Sequence, residues 1–527
     1  MANVSFLRGA MVLTVAGIVV KILGGVNRIL LSRLLGGEGI GLYQMAYPMY
    51  ILLLSIVGAG IPIAVSIMVA EQAARGNYSG TRRIFHVTLA FMAVIALLCG
   101  LGMVLGARAL IATGLVSDER AYWPLVVLAP ALSLSVLTCC FRGYFQGLQL
   151  MTPTALSQMV DQFIRVCVML TLAWILLPYG LVPAASGAAF GAVPGAAAGL
   201  CVIAVLYIRH EKKERLADEG TFVPLRALAV INRLIVLAVP VAAANMLLPA
   251  VASIDLFIVP RRLIAAGYTG HEATALFGYL SGMANGLVQL PAILTMALAT
   301  SLVPAVSAAC ASGRGDLVLA RTHTAMRIAC VITIPASLGL AVLAVPISRL
   351  LYATPAAGPS ICVLGLSVFL IGLQQVTGGL LQGLGHTAIP LYNMAAAAVV
   401  KITLSWYLTA LPWLAEVGAA WATNADLAIA AALNLYFARR YCQYTVQWLY
   451  IGKLFLAAAA MAGTAWFVHK GLSAVTPDAL ATVAAMGVAA MIYLICLFAF
   501  RAVDADDVAK VPVVGHRMYQ WVKRLEK

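Results

Sequence analysis

The chain has 527 residues, of which 63% are hydrophobic and only 10% are charged. An ordinary soluble domain is about 25% charged, so this composition excludes a water-soluble enzyme. A membrane-spanning helix needs about 20 apolar residues, and the chain is long enough for a dozen or more. The net charge of +15 would suggest nucleic-acid binding in a soluble protein, but in a membrane protein it must first be compared with the positive bias of cytoplasmic loops.

Charges, prolines and turn residues divide the chain into fourteen apolar stretches that we predict to be membrane-spanning helices. They cover residues 8–35, 41–71, 83–111, 121–148, 154–177, 184–208, 227–258, 272–309, 317–347, 357–384, 388–411, 414–438, 449–470 and 478–502. If both termini are cytoplasmic, most basic loop residues lie in the segments that face inside. This bias accounts for most of the net charge, and it favours contact of the basic tail with anionic lipid rather than nucleic acid.

An internal repeat relates the two halves of the chain. Adding 236 to Gly143, Gln146, Gly147, Leu148 and Arg165 gives Gly379, Gln382, Gly383, Leu384 and Lys401. We therefore predict that spans one to six are homologous to spans seven to twelve, in the same orientation, because six is an even number. The predicted parts are an N-terminal lobe (1–208), a charged cytoplasmic linker (209–226), a C-terminal lobe (227–440), two further helices (441–502) and a basic cytoplasmic tail (503–527).

Signals for catalysis are few. The sequence contains no GxxxxGK[ST], HExxH or GxSxG motif, its seven histidines are dispersed, and its ten cysteines form no CxxC pair. We therefore expect no catalytic residue, metal or cofactor, and we interpret the cysteines as packing residues. A membrane-embedded glycan-processing enzyme remains an alternative, but the 19 acidic residues lie largely in loops. Catalysis is therefore the weaker hypothesis, and we expect a secondary transporter.

Charged residues inside the predicted spans are the candidate binding residues, because each is costly in hydrocarbon unless it faces a partner or a wet cavity. Lys21 and Arg28 are seven residues apart on one face of the first span. Gln158, Asp161 and Arg165 form a polar stripe in the fifth, where Asp161 and Arg165 have the i,i+4 spacing of an ion pair. Two structural alternatives stay open: Lys21 can snorkel to the headgroups, and the Asp161–Arg165 pair can be self-neutralised in a helix interface.

The repeat mate of Arg165 is Lys401, which has Ala397 and Ser405 at the i−4 and i+4 positions. A carboxylate for Lys401 would have to come from another span, and Asp426 in the twelfth span is the candidate. Cations in the spans outnumber carboxylates, so the predicted cavity prefers an anion, and phosphate is the natural ligand of Arg and Lys.

Several segments resemble a known family. They are KILGGVNRILLSRLLGGEGIGLYQMAYPMY (21–50), GIPIAVSIMVAEQAARGNYSGTRRIF (60–85), FRGYFQGLQLMTPTALSQMVDQFIRV (141–166), VPRRLIAAGY (259–268), LPAILTMALATSLVPAVSAA (290–309) and LLQGLGHTAIP (380–390). They are similar to the stage V sporulation protein B branch of the polysaccharide-export, MATE-like (MOP) superfamily, which is related to the MurJ flippases. The resemblance implies an all-α membrane protein with about fourteen helices, arranged as two pseudo-symmetric six-helix lobes plus two C-terminal helices.

The resemblance also implies an activity, namely the flipping of an undecaprenyl-pyrophosphate-linked sugar, with peptidoglycan lipid II as the expected substrate. The resemblance further implies that the pyrophosphate binds near Lys21 and Arg28. Where the MurJ branch carries functional arginines in its second and eighth spans, this chain reads YILLLSIVGAG (50–60) and GMANGLVQLP (282–291), without a basic residue. Two alternatives therefore stay open: a cation-coupled multidrug antiporter of the same superfamily, and an exporter of another lipid-linked polysaccharide unit.

The expected partners and location follow from the same resemblance and from the positive bias of the predicted cytoplasmic segments. They are a lipid-linked oligosaccharide, membrane lipids and a coupling ion, Na⁺ or H⁺, with no nucleic acid. The expected state is a monomer in the bacterial cytoplasmic membrane, with both termini inside.

Overall fold

A computed structural model describes residues 2–215 and 226–500. In these ranges the chain is almost entirely helical. The α-helices are α1 (Ala2–Gly58), α2 (Ile61–Ala74), α3 (Tyr78–Ala112), α4 (Tyr122–Val127), α5 (Ala129–Gly147), α6 (Met151–Leu176), α7 (Leu181–Phe190), α8 (Ala192–Arg215), α9 (Ala227–Ala265), α10 (Gly270–Phe277), α11 (Asn285–Ala311), α12 (Gly315–Val342), α13 (Ala344–Tyr352), α14 (Gly358–Gly383), α15 (Ala388–Leu408), α16 (Glu416–Cys442), α17 (Trp448–Leu472) and α18 (Asp478–Ala499). The predicted tail and part of the predicted linker lie outside the described residues.

The chain is a multi-pass membrane protein. Eleven of the described helical segments are long and apolar enough to cross a bilayer. Large apolar side chains such as Leu97, Leu101 and Leu105 of α3 are exposed, which suits a surface that faces lipid tails rather than water. All fourteen predicted spans coincide with described helices, while the number of fourteen crossings stays a prediction.

Four predicted spans are interrupted, and each interruption lies shortly before a proline. A proline lacks the N–H that would bond the carbonyl four residues earlier. Pro130, Pro194 and Pro346 would have bonded the carbonyls of Val126, Phe190 and Val342, and α4, α7 and α12 end within one residue of these positions. The predicted spans 121–148, 184–208 and 317–347 therefore each consist of two helices in direct succession. The second predicted span, 41–71, is interrupted in the same way: α1, which continues from the first span with one non-helical residue at Gly36, ends at Gly58, four residues before Pro62 of α2.

The predicted span 272–309 contains a π-helical stretch, Gly278–Ala284, between α10 and α11. This stretch packs closely on α1, since a Cβ on Gly278 would overlap the Gly37 carbonyl. The buried Gln44 of α1 donates a hydrogen bond from Nε2 to the Ser281 carbonyl at 2.9 Å. Such wide turns leave carbonyls without their usual helical partner, and Gln44 satisfies one of them.

Packing divides the chain into two compact units. The first contains the residues up to Gly286 together with Ile402–Ala419, and the second contains Leu287–Lys401 together with the residues from Ala420 onward. The division into lobes at 208 and 227 rests on the repeat in the sequence and stays a prediction.

The predicted repeat recurs in the packing of each unit. In the first unit, a Cβ on Gly147 of α5 would lie 2.7 Å from the Ser66 carbonyl oxygen and 2.8 Å from the Val69 Cβ of α2. In the second, a Cβ on Gly383 of α14 would lie 2.9 Å from the Val303 carbonyl oxygen and 2.8 Å from the Val306 Cβ of α11. Ser66 and Val69 precede Val303 and Val306 by the same 237 residues. The two motif copies therefore make the same close helix contact, as expected of pseudo-symmetric halves.

Candidate anion-binding site

Five of the predicted site residues lie in the first unit. Lys21 and Arg28 are on α1, and Gln158, Asp161 and Arg165 are on α6. Lys21 is exposed, whereas the other four are partly buried. The structure therefore places the two groups of predicted residues on two helices that pack against each other.

Asp161 and Arg165 form the ion pair that their spacing predicts. Arg165 donates from Nη2 to Asp161 Oδ1 at 3.0 Å and from Nε to the same oxygen at 3.3 Å. The second carboxylate oxygen, Oδ2, lies 4.0 Å from Nη2 of Arg142 on α5. The exposed fractions of the three side chains are 11% for Arg165 and 19% each for Asp161 and Arg142. Two guanidinium groups therefore share one carboxylate in a largely buried place.

The glycines of α8 fix the position of the pair. A Cβ on Gly195 would lie 2.7 Å from the Arg165 Cβ and 2.9 Å from Asp161 Oδ1, and a Cβ on Gly199 would lie 2.9 Å from the Asp161 Cβ. The backbone of α8 therefore packs directly against the charged face of α6, and Ser157 of α6 donates to the Gly199 carbonyl at 3.0 Å. Gly195 and Gly199, four residues apart on α8, therefore hold the candidate site in place.

A polar cavity of about 180 Å³ opens beside the pair, between α1, α5 and α6. Its lining includes Arg142, Asp161, Gln162, Arg165, Tyr47 and Tyr50. Tyr50 and Ser135 share a hydrogen bond of 3.0 Å at the wall, and the Tyr47 ring lies 5.8 Å from the Tyr50 ring. The cavity combines cationic groups with hydroxyl and aromatic surface, a mixture that suits the phosphates and rings of a sugar-phosphate headgroup.

The predicted first-span residues Lys21 and Arg28 do not line the cavity. Arg28 packs its aliphatic stem against Gly286, where a Cβ would overlap the Arg28 Cδ. A Cβ on Gly24 would be 3.5 Å from the amide nitrogen of Gln162, a cavity residue. Arg28 and Arg165 both lie within electrostatic range of the buried Tyr43. Gly24 and Arg28 are four residues apart on one face of α1, and this face packs toward the polar side of α6 that carries Asp161 and Arg165.

The remaining two predicted residues belong to the second unit. Lys401 on α15 is 4% exposed and Asp426 on α16 is 7% exposed. Other polar side chains are buried in the same unit, including Asn393, which donates to Asn434 at 2.8 Å. Buried charges are rare in spans that have only a structural role, so Lys401 and Asp426 stay functional candidates.

Sequence reasoning missed Arg142 as a site residue. Its signal was available, since it directly precedes Gly143 of the repeated motif and is the only Arg or Lys in the predicted span 121–148. Tyr47, Tyr50 and Gln162 carried no comparable signal, because aromatic and amide residues are common in helix interfaces. Among the described residues, no group of three or more His, Cys, Asp or Glu side chains could hold a metal ion.

Comparison with known proteins places this architecture in a family. The family described as "Polysaccharide biosynthesis protein" matches residues 6–310, which is more than half of the chain. The chain belongs to this family. A second family, described as "Lipid II flippase MurJ", matches residues 273–499. The polysaccharide biosynthesis assignment and the MurJ match agree with the predicted SpoVB-like and MurJ-related membership of the MOP superfamily.

Individual relatives support the same assignment. "Stage V sporulation protein B" of Bacillus subtilis (strain 168) is 28% identical over 98% of this chain and 99% of its own length. The solved structure of "Lipid II flippase MurJ, inward closed conformation" is similar with a TM-score of 0.69 at 15% identity, over 93% of this chain and 98% of that chain. The inward-facing structure of a multidrug resistance MATE family transporter of the MOP superfamily has a TM-score of 0.67 at 16% identity, over 80% of this chain and 94% of that chain. The predicted MOP-type fold is confirmed.

Proposed function

We propose that this protein is a flippase that moves an undecaprenyl-pyrophosphate-linked sugar, with peptidoglycan lipid II as the first candidate, from the inner to the outer leaflet by alternating access. The headgroup enters a cationic cavity while the lipid tail stays in the bilayer. The names of the relatives support a lipid-linked substrate, and the chemistry of the site supports its anionic part.

The observation that carries the proposal is the excess of cations in the first unit. Arg142 and Arg165 share the single carboxylate of Asp161 beside a cavity lined by hydroxyl groups and aromatic rings. A buried site with net positive charge favours an anion, and guanidinium groups match the geometry of phosphate oxygens. A transporter of organic cations would need the opposite sign of charge.

Each predicted residue has a role in this proposal. Lys21, Arg28, Arg165 and Lys401 contact the headgroup, Asp161 and Gln158 orient Arg165, and Asp426 supports Lys401. A monomer in the cytoplasmic membrane with both termini inside would draw on an ion gradient, the membrane potential or consumption of the product. One elementary charge moved across 100 mV is worth about 2.3 kcal/mol, enough to bias the exchange between inward and outward states.

The test is translocation of labelled lipid II in proteoliposomes, beside a second undecaprenyl-pyrophosphate-linked sugar. We expect the double variant Lys21→Glu/Arg28→Glu to lose flipping by about tenfold or more, because the reversed charges repel the pyrophosphate. The variant Lys21→Gln/Arg28→Gln keeps side-chain size in case the reversal prevents folding. Arg83→Glu is the matched control, since Arg83 is exposed at the start of α3 and makes none of the site contacts.

Each outcome has a defined meaning. If the protein prefers the second lipid, the flippase proposal is supported, but its substrate is that lipid rather than lipid II. No flipping of either lipid by folded protein under an imposed potential or ion gradient would contradict the proposal. Loss of drug export on Asp161→Asn or Asp426→Asn, with mild effects of the basic changes, would favour the multidrug antiporter.

A further inference from the structure

We propose that the cavity between α1, α5 and α6 is a binding site for one phosphate group, in which Arg142 supplies the free donors and Asp161 occupies the anion position until a phosphate arrives. The inference rests on the proposed function for the source of the phosphate. It adds a site that is separate from the first-span pair, because neither Lys21 nor Arg28 lines this cavity.

The hydrogen bonding of Arg142 is incomplete. A guanidinium group has five N–H donors. Among the described residues the polar partner of Arg142 is Asp161, at 4.0 Å, which is too long for a hydrogen bond. Its Nε is buried and has no hydrogen-bond partner in the described part of the chain. An unsatisfied cationic donor in a buried place is costly, so a bound acceptor such as a phosphate oxygen would stabilise the site.

The carboxylate of Asp161 is divided unequally between the two arginines. Arg165 holds Oδ1 with two hydrogen bonds, while Oδ2 is only loosely approached by Arg142. The close packing of α8 on Asp161 and Arg165 keeps this pair in place. A phosphate can therefore bind to Arg142 without dissolving the Asp161–Arg165 pair, and it has to compete with one carboxylate oxygen only.

The remaining lining agrees with a single phosphate group. Tyr50 and Ser135 share one hydrogen bond and can turn their hydroxyl protons toward a ligand. The volume of about 180 Å³ is below the roughly 300–1,000 Å³ of pockets that enclose a whole drug-sized ligand, so it suits one phosphate group rather than a disaccharide pyrophosphate. The cavity therefore holds one phosphate of the headgroup and leaves the sugars outside it.

The repeat shows that this site exists in one half only. Adding 236 to Arg142, Asp161 and Arg165 gives Gly378, Ala397 and Lys401. The second half keeps one of the three charges and lacks both the second arginine and the carboxylate. An interaction needed only for helix packing would have no reason to be confined to one of two halves that pack alike, whereas a substrate phosphate needs one site.

The test measures binding to the purified full-length chain in nanodiscs, with two probes: inorganic phosphate, and undecaprenyl phosphate included in the disc. We expect Arg142→Gln to weaken binding by about tenfold to a hundredfold, the size of a lost charge-assisted hydrogen bond. Arg142→Lys should recover part of the affinity as a point charge. Asp161→Asn should bind phosphate about tenfold more tightly, because the competing carboxylate is gone. Arg83→Gln is the control and should bind as the wild type does.

The Asp161→Asn variant separates a ligand site from a structural pair. A purely structural Asp161 predicts lower thermal stability and no gain in phosphate affinity, and that result would overturn the proposal. Equal binding by wild type and Arg142→Gln would do the same. Binding of both probes supports the site with either source, and binding of undecaprenyl phosphate alone assigns it to the lipid-linked headgroup.

The failure of this inference can be distinguished from the failure of the proposed function. If flipping depends on Arg28 but not on Arg142, and no phosphate binds at Arg142, the phosphate site is refuted and the flippase proposal is supported. If phosphate binding depends on Arg142 but the protein flips no lipid, the phosphate site is supported and the flippase proposal is refuted.

Discussion

A charge network on α1, α10 and the 113–121 segment gives the most direct quantitative prediction. Arg120 binds Asp118 through two hydrogen bonds, Nε to Oδ1 at 3.0 Å and Nη2 to Oδ2 at 2.7 Å. Its Nη1 donates to Glu38 of α1 at 2.6 Å, and Glu38 also contacts His271 of α10 at 2.6 Å. Asp118 in turn accepts from Thr274 of α10 at 2.7 Å. One arginine therefore joins three separate segments.

The change Arg120→Gln removes the centre of this network. An exposed ion pair contributes about 0.2–1 kcal/mol, whereas removing one partner of a buried pair costs about 3–5 kcal/mol. The exposed fractions here are 27% for Arg120, 26% for Glu38 and 9% for Asp118, between these two cases. We expect a loss of about 2–3 kcal/mol in the free energy of unfolding, or about 4–6 °C in Tm at about 2 °C per kcal/mol for a large chain.

The stability lost in Arg120→Gln depends on pH, and the pKa of Asp118 determines in which direction. Burial alone would raise the pKa of Asp118, but hydrogen bonds from Arg120 and Thr274 outweigh burial and hold the pKa below its usual range. A carboxylate with a lowered pKa stabilises the fold above the ordinary Asp pKa of about 3.9, and the stabilisation disappears as pH falls toward the folded-state pKa. The difference in Tm between wild type and Arg120→Gln should therefore be full at pH 7 and shrink below about pH 4.

The assay is thermal unfolding of the purified full-length protein in detergent, followed by intrinsic tryptophan fluorescence. Asp118→Asn and the double variant complete a thermodynamic cycle, which should show a coupling of about 1–2 kcal/mol. Arg108→Gln is the control, because Arg108 is exposed and makes one long hydrogen bond, 3.4 Å, to Tyr122. A change in Tm below about 1 °C at pH 7, or additive effects in the cycle, would refute this account of the network.

Two further predictions concern glycines. Gly147→Ala and Gly383→Ala, at matching positions of the repeat, should each cost about 1–3 kcal/mol, because either Cβ would meet a neighbouring helix at 2.9 Å or less. Unequal effects in thermal unfolding, with one variant neutral, would show that the two contacts are not equivalent. Gly195→Val should lower both Tm and phosphate affinity, because the larger side chain would displace Asp161 and Arg165. Gly463→Val is the control and should change neither quantity, because a Cβ on Gly463 meets nothing within 4 Å. Normal phosphate binding by Gly195→Val would contradict the role given to α8.

The amino-acid sequence alone was sufficient for the features that depend on local pattern. Runs of apolar residues predict membrane helices because insertion depends on the composition of a single segment. The Asp161–Arg165 pair was predictable because i and i+4 meet on any helix. The repeat was visible because Gly143, Gln146, Gly147 and Leu148 recur 236 residues later, and homologous halves are expected to pack alike.

Other features depend on segments that are distant in the chain. Arg142 joins the Asp161–Arg165 pair only because α5 and α6 turn their polar faces toward each other, and the spacing between 142 and 161 does not encode that geometry. Glu38, Arg120 and His271 meet although 82 and 151 residues separate them. The π-helical stretch likewise forms where Gly278 must approach α1. The sequence by itself determined the helices, their membrane class and the charges within them, while the tertiary structure decided which charges share a cavity, because contact between helices depends on their packing rather than on their separation in sequence.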